Sequence, residues 1–391
     1  MQKKLLAIAV AGALAPAAAM AQSTVEIYGR ANVGIDMWEA KGSTAAGQSY
    51  DSRTRIFDQG SRLGFRINEN LGGGMRAFVV IEQGANLDSG NNVGQSGTST
   101  NGSTGFWASR DSYAGIGGSW GDVRFGRQSP YYGNGIIAQQ GANYINQSVD
   151  NAFSFGGVLG SPSGRESNVM SYNSPTFGGF NATLSYGVGA SEGAAFTGGT
   201  QKKEQVYAIT GRYTGGALRA QFDYGTRQNT GNVSDNDRNG WKVGAGFAYA
   251  PGSQISAIYG EHEQKNTTAA QAATTGGIVA AGDNPKVPIF IIQWEHMAGQ
   301  WQLLAAYANF GEVKNVANAS NTEAQGYTLA AKYFLSKRTG VYVSYNKLEN
   351  KDRAFWDFSN AGMSSATGAA LPAASQGADP QIIALGVMHN F

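Results

Sequence analysis

From Thr24 to Asp36 polar and apolar side chains take turns. Val25, Ile27, Gly29, Ala31, Val33 and Ile35 fall on one face, and Glu26, Tyr28, Arg30, Asn32 and Asp36 on the other. A period of two sustained over about a dozen residues outlasts a typical globular strand and suits a tilted strand crossing a bilayer. The pattern returns in 62–68, with Leu63, Phe65 and Ile67 facing outward, and in 75–82, with Ala77, Val79 and Ile81 outward. Glu69-Asn-Leu-Gly-Gly-Gly74 joins these two segments as a tight turn. Further strands are predicted at 107–118, 121–129, 165–174, 179–189, 204–214, 217–228, 239–250, 254–264, 287–298, 299–311, 323–334, 338–349 and 379–391, about sixteen in all.

The connections between these strands alternate in length. Ser119–Gly121, Pro175–Gly178, Gly215–Gly216, Pro251–Ser253 and Ser336–Lys337 are brief. The segments 39–60, 85–106, 130–164, 190–203, 229–238, 265–286, 312–322 and 350–378 are long. Every second turn therefore lies on the same side, the asymmetry of a transmembrane β-barrel. Closure also explains how so many strands avoid bare edges. The expected fold is all-β, an antiparallel transmembrane barrel of about sixteen strands.

The first 21 residues are expected to be an export signal. Lys3 and Lys4 precede the apolar run Leu5–Leu14, and Ala19-Met-Ala21 is a small-x-small cleavage site. The whole chain carries 29 Lys+Arg against 27 Asp+Glu, so removing Lys3 and Lys4 leaves residues 22–391 formally neutral. Bulk attraction to nucleic acid is not supported, and charge selectivity has to arise from local arrangement. There is no cysteine, consistent with a large hydrogen-bonded sheet that needs no disulfides.

One connection stands apart. Residues 130–164 are rich in Gly, Asn, Gln, Ser and aromatics, and Asp150 is their only charge. Tyr131, Tyr144, Phe153 and Phe155 make this segment too apolar for a disordered linker, and its length marks it as functional. Arginines flank it on the adjoining strands.

Ordered fragments along the chain carry a family resemblance: Val25-Glu-Ile-Tyr-Gly-Arg30, Ser61-Arg-Leu-Gly-Phe-Arg66, Tyr113-Ala-Gly-Ile116, Phe125-Gly-Arg-Gln128, Asn168-Val-Met-Ser-Tyr-Asn-Ser-Pro175, Leu335-Ser-Lys-Arg-Thr339 and Gly386–Phe391. Together they resemble the general porins of the Gram-negative outer membrane, closest to the beta-proteobacterial branch. The resemblance implies a sixteen-stranded barrel, a homotrimer surrounded by outer-membrane lipid and lipopolysaccharide, passage of small ions and solutes, and a third loop, here 130–164, folded into the lumen as the constriction. Phe391, on the outward face of the last strand with Ile383, Leu385, Val387 and His389, resembles the signal that such proteins use for insertion.

The resemblance also implies a basic ladder on the wall facing the third loop, at Arg30, Arg62, Arg110 and Arg165. Alternation independently turns Arg30, Arg62 and Arg165 inward. Arg110 shares parity with the outward Ala114 and Ile116, so a bulge or a place above the bilayer is required. The acidic loop of the cation-preferring porins is replaced here by Phe153-Ser-Phe-Gly-Gly157. Four arginines facing a nearly uncharged loop favour anions, although a wall carboxylate such as Glu82 could neutralise any one of them. Met388 and Asn390, inward on the last strand, are neutral and weaken the field near the periplasmic mouth. Arg127 shares parity with Val123 and Phe125 and is assigned to a subunit contact or a snorkelling position.

Other chemistry is thinly represented. Gly72-Gly-Gly74 lacks the Lys-Ser/Thr of a phosphate cradle and reads as a turn. His262, His296 and His389 lie on three strands without metal-ligand spacing, so no metal or cofactor is expected. Glu295 beside His296 is the sole candidate for a catalytic pair, and no enzyme activity is expected. The leading reading is a general diffusion channel with anion preference. A channel with a saturable site for sugars or organic acids, in which Tyr131, Tyr132, Tyr144 and Phe155 would take part, remains an alternative. So does a surface adhesin or antigen presenting loops 85–106 and 350–378.

Overall fold

A computed structural model describes residues 23–44, 49–88, 107–131, 145, 148–154, 159, 162, 164–188, 202–358 and 376–391. Its strands are β1 (Thr24–Lys41), β2 (Tyr50–Asp58), β3 (Arg62–Gly72), β4 (Met75–Gly84), β5 (Ser112–Gly118), β6 (Gly121–Gln128), β7 (Glu166–Asn173), β8 (Phe180–Gly187) and β9 (Gln205–Gly215). They continue as β10 (Leu218–Gln228), β11 (Arg238–Ala250), β12 (Ser253–Gln264), β13 (Lys286–Ala298), β14 (Trp301–Phe310), β15 (Ala324–Phe334), β16 (Thr339–Asn350) and β17 (Asp379–Asn390). From β3 onward each strand pairs antiparallel with the next, and β1 pairs with β17 from Arg30↔Asn390 to Lys41↔Asp379. The sheet is closed, and no helix of the described residues is long and apolar enough to span a membrane.

Sixteen staves account for the seventeen strands because β2 and β3 share one. β3 pairs with the first half of β1, from Thr24↔Asn68 to Arg30↔Arg62, and β2 with the second half, from Val33↔Asp58 to Ala40↔Tyr50. At the break, side chains replace ladder bonds: the Asn32 amide donates to Ser61 Oγ at 2.8 Å and the Ser61 amide to Asp58 Oδ1 at 2.9 Å. The sequence reading placed a long connection at 39–60. The structure corrects this, because β1 runs on to Lys41 and Tyr50–Asp58 is strand. Arg53, Arg55 and Asp58 hide that strand from a hydrophobic pattern, although Arg55 and Asp36 pair across the hairpin at 2.9 Å.

Alternation sorts the side chains as the sequence predicted. Leu329 is 58% exposed while its neighbour Thr328 is fully buried, and the same contrast separates Leu385 from Ala384 and Met37 from Asp36. Val25, Ile27, Phe125, Leu184, Phe222, Val243 and Val343 continue the apolar belt around the outside. Such a belt is stable only against lipid, since water would penalise every exposed CH2 by roughly 0.8 kcal/mol. Tyr186, Tyr213, Tyr249, Trp301 and Phe334 lie at or near strand ends, and some of them pack on aromatic rings of the neighbouring strand. Tyr186 meets Tyr207 at 5.1 Å between ring centroids and Trp301 meets Tyr333 at 4.9 Å.

The buried apolar cluster sits to one side of the barrel, against the inner faces of β12–β15. Ile258, Val287, Ile289, Ile291, Ala306 and Ala308 come from the wall, and Val149, Ala152, Phe153 and Leu159 from the 130–164 connection. The cluster continues through Trp38 on β1 and Phe57 on β2, and beyond the strand ends through Val313, Trp356 and Phe358.

Candidate functional site

The inner face of β1 and β3–β7 is polar and partly open. Arg62 follows from the alternation of β3, and Glu82 from that of β4, where Gly64 stands opposite it in register. Tyr28 crosses the same place: its ring lies where a Cβ on Gly64 would be, 2.3 Å away, so only glycine fits beneath it. The Tyr28 hydroxyl donates to Glu82 Oε2 at 3.1 Å. Arg110 Nε donates to Glu82 Oε1 at 2.5 Å, and Arg62 Nε lies 3.7 Å from Oε2. Both arginines thus converge on one carboxylate.

Arg110 reaches this point because it is not in a strand. The segment predicted as strand from 107 becomes one only at Ser112, after Ala108 adopts a left-handed backbone at φ 67°. The Arg110 amide donates to the Glu82 carbonyl at 3.0 Å, and the parity of β5 does not constrain its side chain. The parity conflict is resolved by the strand starting later. Arg30 is buried on the inner face, hydrogen-bonds Asn390 Oδ1 at 3.2 Å, and lies within electrostatic reach of Arg62, Arg110 and Glu82. Arg165 Nε bonds Asp111 Oδ1 at 2.5 Å, and Ser129 Oγ donates to the same oxygen at 2.9 Å. A cavity of about 310 Å³ brings together Arg62, Arg66, Arg110 and Arg165 with Tyr28, Glu82, Asp111 and Tyr113.

Three of the four expected ladder residues therefore line one cavity, with Arg30 beside it. They are not bare. Glu82 and Asp111 answer Arg62, Arg110 and Arg165, which is the neutralising arrangement foreseen for Glu82 alone. Counting Arg30, the four guanidinium groups still exceed these two carboxylates by two charges.

Sequence reasoning missed Arg66, Arg76 and Arg124. Arg66 shares the parity of Arg62 and stacks 3.8 Å above the Tyr28 ring, with Glu26 at 3.2 Å. Arg124 Nε meets Asp122 Oδ1 at 2.6 Å, and Arg76 approaches Asp122 Oδ2 at 3.7 Å. Asp122, like Glu82, is shared by two arginines. Period-two counting from Arg62 and Asp122 would have found Arg66 and Arg124.

Arg127 lies at an irregularity. The pairing of β6 with β7 shifts between Gly126 and Gln128, and Gly126 has φ 145°. Arg127 donates to the Ser109 carbonyl at 3.0 Å and to Ser167 Oγ at 2.8 Å, both within the chain.

The described parts of the 130–164 connection touch the other half of the wall. Tyr131 is buried beside His262, Gly225 and Gly240, on β10–β12. Ile145 packs with Leu304, Ala330, Tyr342 and Met388, on β14–β17. A single 3-10 turn, Val149–Ser154, lies against β13, β14 and β15, with the Val149 amide donating to Thr328 Oγ1 at 2.9 Å. Phe153 sets its ring edge-on to His262 at 5.5 Å. Asp150 belongs to that turn, whereas Tyr132, Tyr144 and Phe155 lie outside the described residues.

The histidines occupy unrelated settings. Glu295 is buried inside, bonded to Gln302 at 2.6 Å, while its neighbour His296 stacks outside on Trp294 and Tyr249. A strand sends adjacent residues to opposite faces, so these two do not form a catalytic pair. His389 bonds Thr339 Oγ1 at 2.9 Å and stacks near Phe391. Phe391 closes the ring: its amide donates to the Gly29 carbonyl at 3.1 Å, and the Gly29 amide donates back at 3.0 Å.

Comparison with known proteins agrees with this architecture. The model of a Gram-negative porin matches residues 7–353. Outer membrane porin protein 32 of Delftia acidovorans is 28% identical over 365 residues, covering 90% of this chain and 91% of that protein. An outer membrane porin protein of Bordetella pertussis is 26% identical, covering 89% and 94%. Among solved structures, an anion-selective porin from Comamonas acidovorans superposes with a TM-score of 0.69 at 22% identity, over 95% of this chain and all of that one. The trimer form of OmpT from Vibrio cholerae gives 0.60 at 14% identity, over 94% and 99%. Porins are channels rather than enzymes. The chain belongs to the Gram-negative porin family and is an outer-membrane protein that crosses the bilayer repeatedly with β-strands.

Proposed function

We propose that this porin is a general diffusion channel for small hydrophilic solutes with a preference for anions, narrowed by the 130–164 connection. The observation that carries the reading is the two-to-one pairing of arginines with carboxylates on the inner face of β3–β6. Glu82 serves Arg62 and Arg110, and Asp122 serves Arg76 and Arg124. The described residues of the connection, Tyr131, Ile145 and Val149–Ser154, touch the inner faces of β10–β17, the wall opposite the arginine-bearing strands. A solute passing there meets a net positive wall, and at an effective dielectric between water and protein each unbalanced charge is worth about 0.5–2 kcal/mol at roughly 8 Å. No catalysis is involved.

The same reading takes residues 1–21 as a cleaved export signal and Phe391 as the insertion signal. It places the protein as a homotrimer among outer-membrane lipid and lipopolysaccharide, with Arg127 near the subunit contact. A saturable site for sugars or organic acids is less favoured, because Tyr131, one of the residues expected to form it, is buried against the wall rather than presented to solute. Reversal potentials of purified protein in a planar bilayer under a KCl gradient test the proposal. An anion-selective sign is expected; a cation-selective sign refutes the charge reading, and the absence of conductance refutes the channel itself.

A further inference from the structure

The place where the 130–164 connection meets the far wall is built by residues that play no part in the arginine wall. Tyr131, just past the end of β6, is 1% exposed. A Cβ on Gly225 would lie 2.7 Å from its ring base, and one on Gly240 would lie 3.0 Å from its hydroxyl. Pro162, near the other end of the connection, stands 2.8 Å from that same Gly240 position. Lys242, on the inner face of β11 two positions beyond Gly240, holds its ammonium 3.8 Å above the Tyr131 ring and 4.0 Å from Asp223 Oδ2. Tyr131 Oη and His262 Nε2 are 3.4 Å apart, and Phe153, from the middle of the connection, rests on the same imidazole.

Start, middle and end of the segment thus converge on one seat. Contacts below 3.0 Å leave no room for any side chain at 225 or 240, and a cation held over a ring out of water is a strong attachment. We infer that Gly225, Gly240 and Lys242 are positioning residues for the constriction: they fix how far the connection stands from the arginine wall, and through it the cross-section and charge selectivity of the pore. This rests on the constriction reading above. Pore diameter and lining charge together set selectivity, so displacing the segment changes both.

The test uses the full-length protein refolded into planar bilayers, with heat-modifiable gel migration as the folding control. Tyr131→Ala, which unseats the segment, is expected to raise single-channel conductance and to bring the anion-to-cation permeability ratio towards unity, and Gly225→Ala, which pushes the segment off the far wall, is expected to move both away from their wild-type values. Tyr131→Phe keeps the ring and behaves as wild type. The double variant Tyr131→Ala/Gly225→Ala goes no further than Tyr131→Ala, because both changes break one contact. A merely structural role would cost folded protein without altering the channels that do form. Folded Tyr131→Ala and Gly225→Ala channels with wild-type conductance and selectivity overturn the inference. Should Gly225→Ala fail to fold, Tyr131→Ala, which only removes atoms, carries the test. Arg62→Gln/Arg110→Gln is run in parallel. If it weakens anion preference while the seat variants leave conductance and selectivity unchanged, the seat fails and the arginine wall stands; if it changes nothing, the arginine-wall reading falls and this one with it.

Discussion

Glu82 is the sharpest lever on selectivity that the structure offers. Its carboxylate accepts from Arg110 at 2.5 Å and Tyr28 at 3.1 Å, and lies 3.7 Å from Arg62, so it cancels one of the two guanidinium charges crowding it. Glu82→Gln keeps the shape and an acceptor oxygen for Tyr28 while removing the negative charge. A permeating ion passing at about 8 Å would feel that missing charge as roughly 0.5 kcal/mol in water-like surroundings. That energy changes the occupancy of each ion by about 2.3-fold, in opposite senses for anion and cation. The chloride-to-potassium permeability ratio is therefore expected to rise about fivefold at low salt, more where the pore wall lowers the effective dielectric. Reversal potentials under a KCl gradient measure it directly, with Glu82→Asp as the charge-preserving control. A ratio that stays put, or moves towards potassium, would refute the idea that unbalanced arginines on this wall set the preference.

Because the field is that of solvent-accessible charges, anion preference should fade between about 0.01 M and 1 M salt, as the screening length falls from about 30 Å to about 3 Å; bi-ionic measurements across that range test this. Leu329→Arg places a charge on the lipid face and should cost about 2–4 kcal/mol of folding free energy if the site lies near the midplane, read by urea titration in lipid vesicles. A cost below half a kilocalorie would contradict the outward assignment of that face. Phe391→Ala removes the ring that lies over Gly29 beside the closing strand pair and should lower the yield of heat-modifiable barrel without changing the conductance of channels that form. Asp36→Ala removes the carboxylate that Arg55 grips through Nε and Nη2 in a nearly buried setting, and is expected to destabilise by up to about 3 kcal/mol in the same titration.

The barrel was legible because one physical rule, lipid outside and water or polar packing inside, acts on every second residue. Leu329 and Thr328, or Leu385 and Ala384, obey it without exception of context. The rule is hard to read where charges crowd a strand: Tyr50–Asp58 carries Asp51, Arg53, Arg55 and Asp58 beside a single outward Ile56, and it looked like loop. Arg110 defied parity because β5 has not yet begun there. The inward setting of Arg30 and Arg62 was readable, and that of Arg66 and Arg124 by the same count, whereas Arg165 stands just before β7 begins. Their carboxylate partners were harder. Glu82 meets Arg110, 28 positions away, only through the register of β3, β4 and β5, and register is not written in alternation. The seat at Gly225 and Gly240 was invisible for the same reason, as a glycine in a strand does not announce what lies against it.

The pairing of β1 with β17 has a temporal meaning. Thr24–Lys41 is made well before Asp379–Asn390, the partner for one of its edges. Until that last segment exists, the earliest strand carries an unsatisfied row of amides and carbonyls that bilayer hydrocarbon cannot tolerate. Closure of the barrel therefore waits until Asp379–Asn390 has been made, and insertion is concerted rather than a stepwise threading. Truncations lacking β17 should therefore accumulate as holdase clients or protease substrates, not as partial channels.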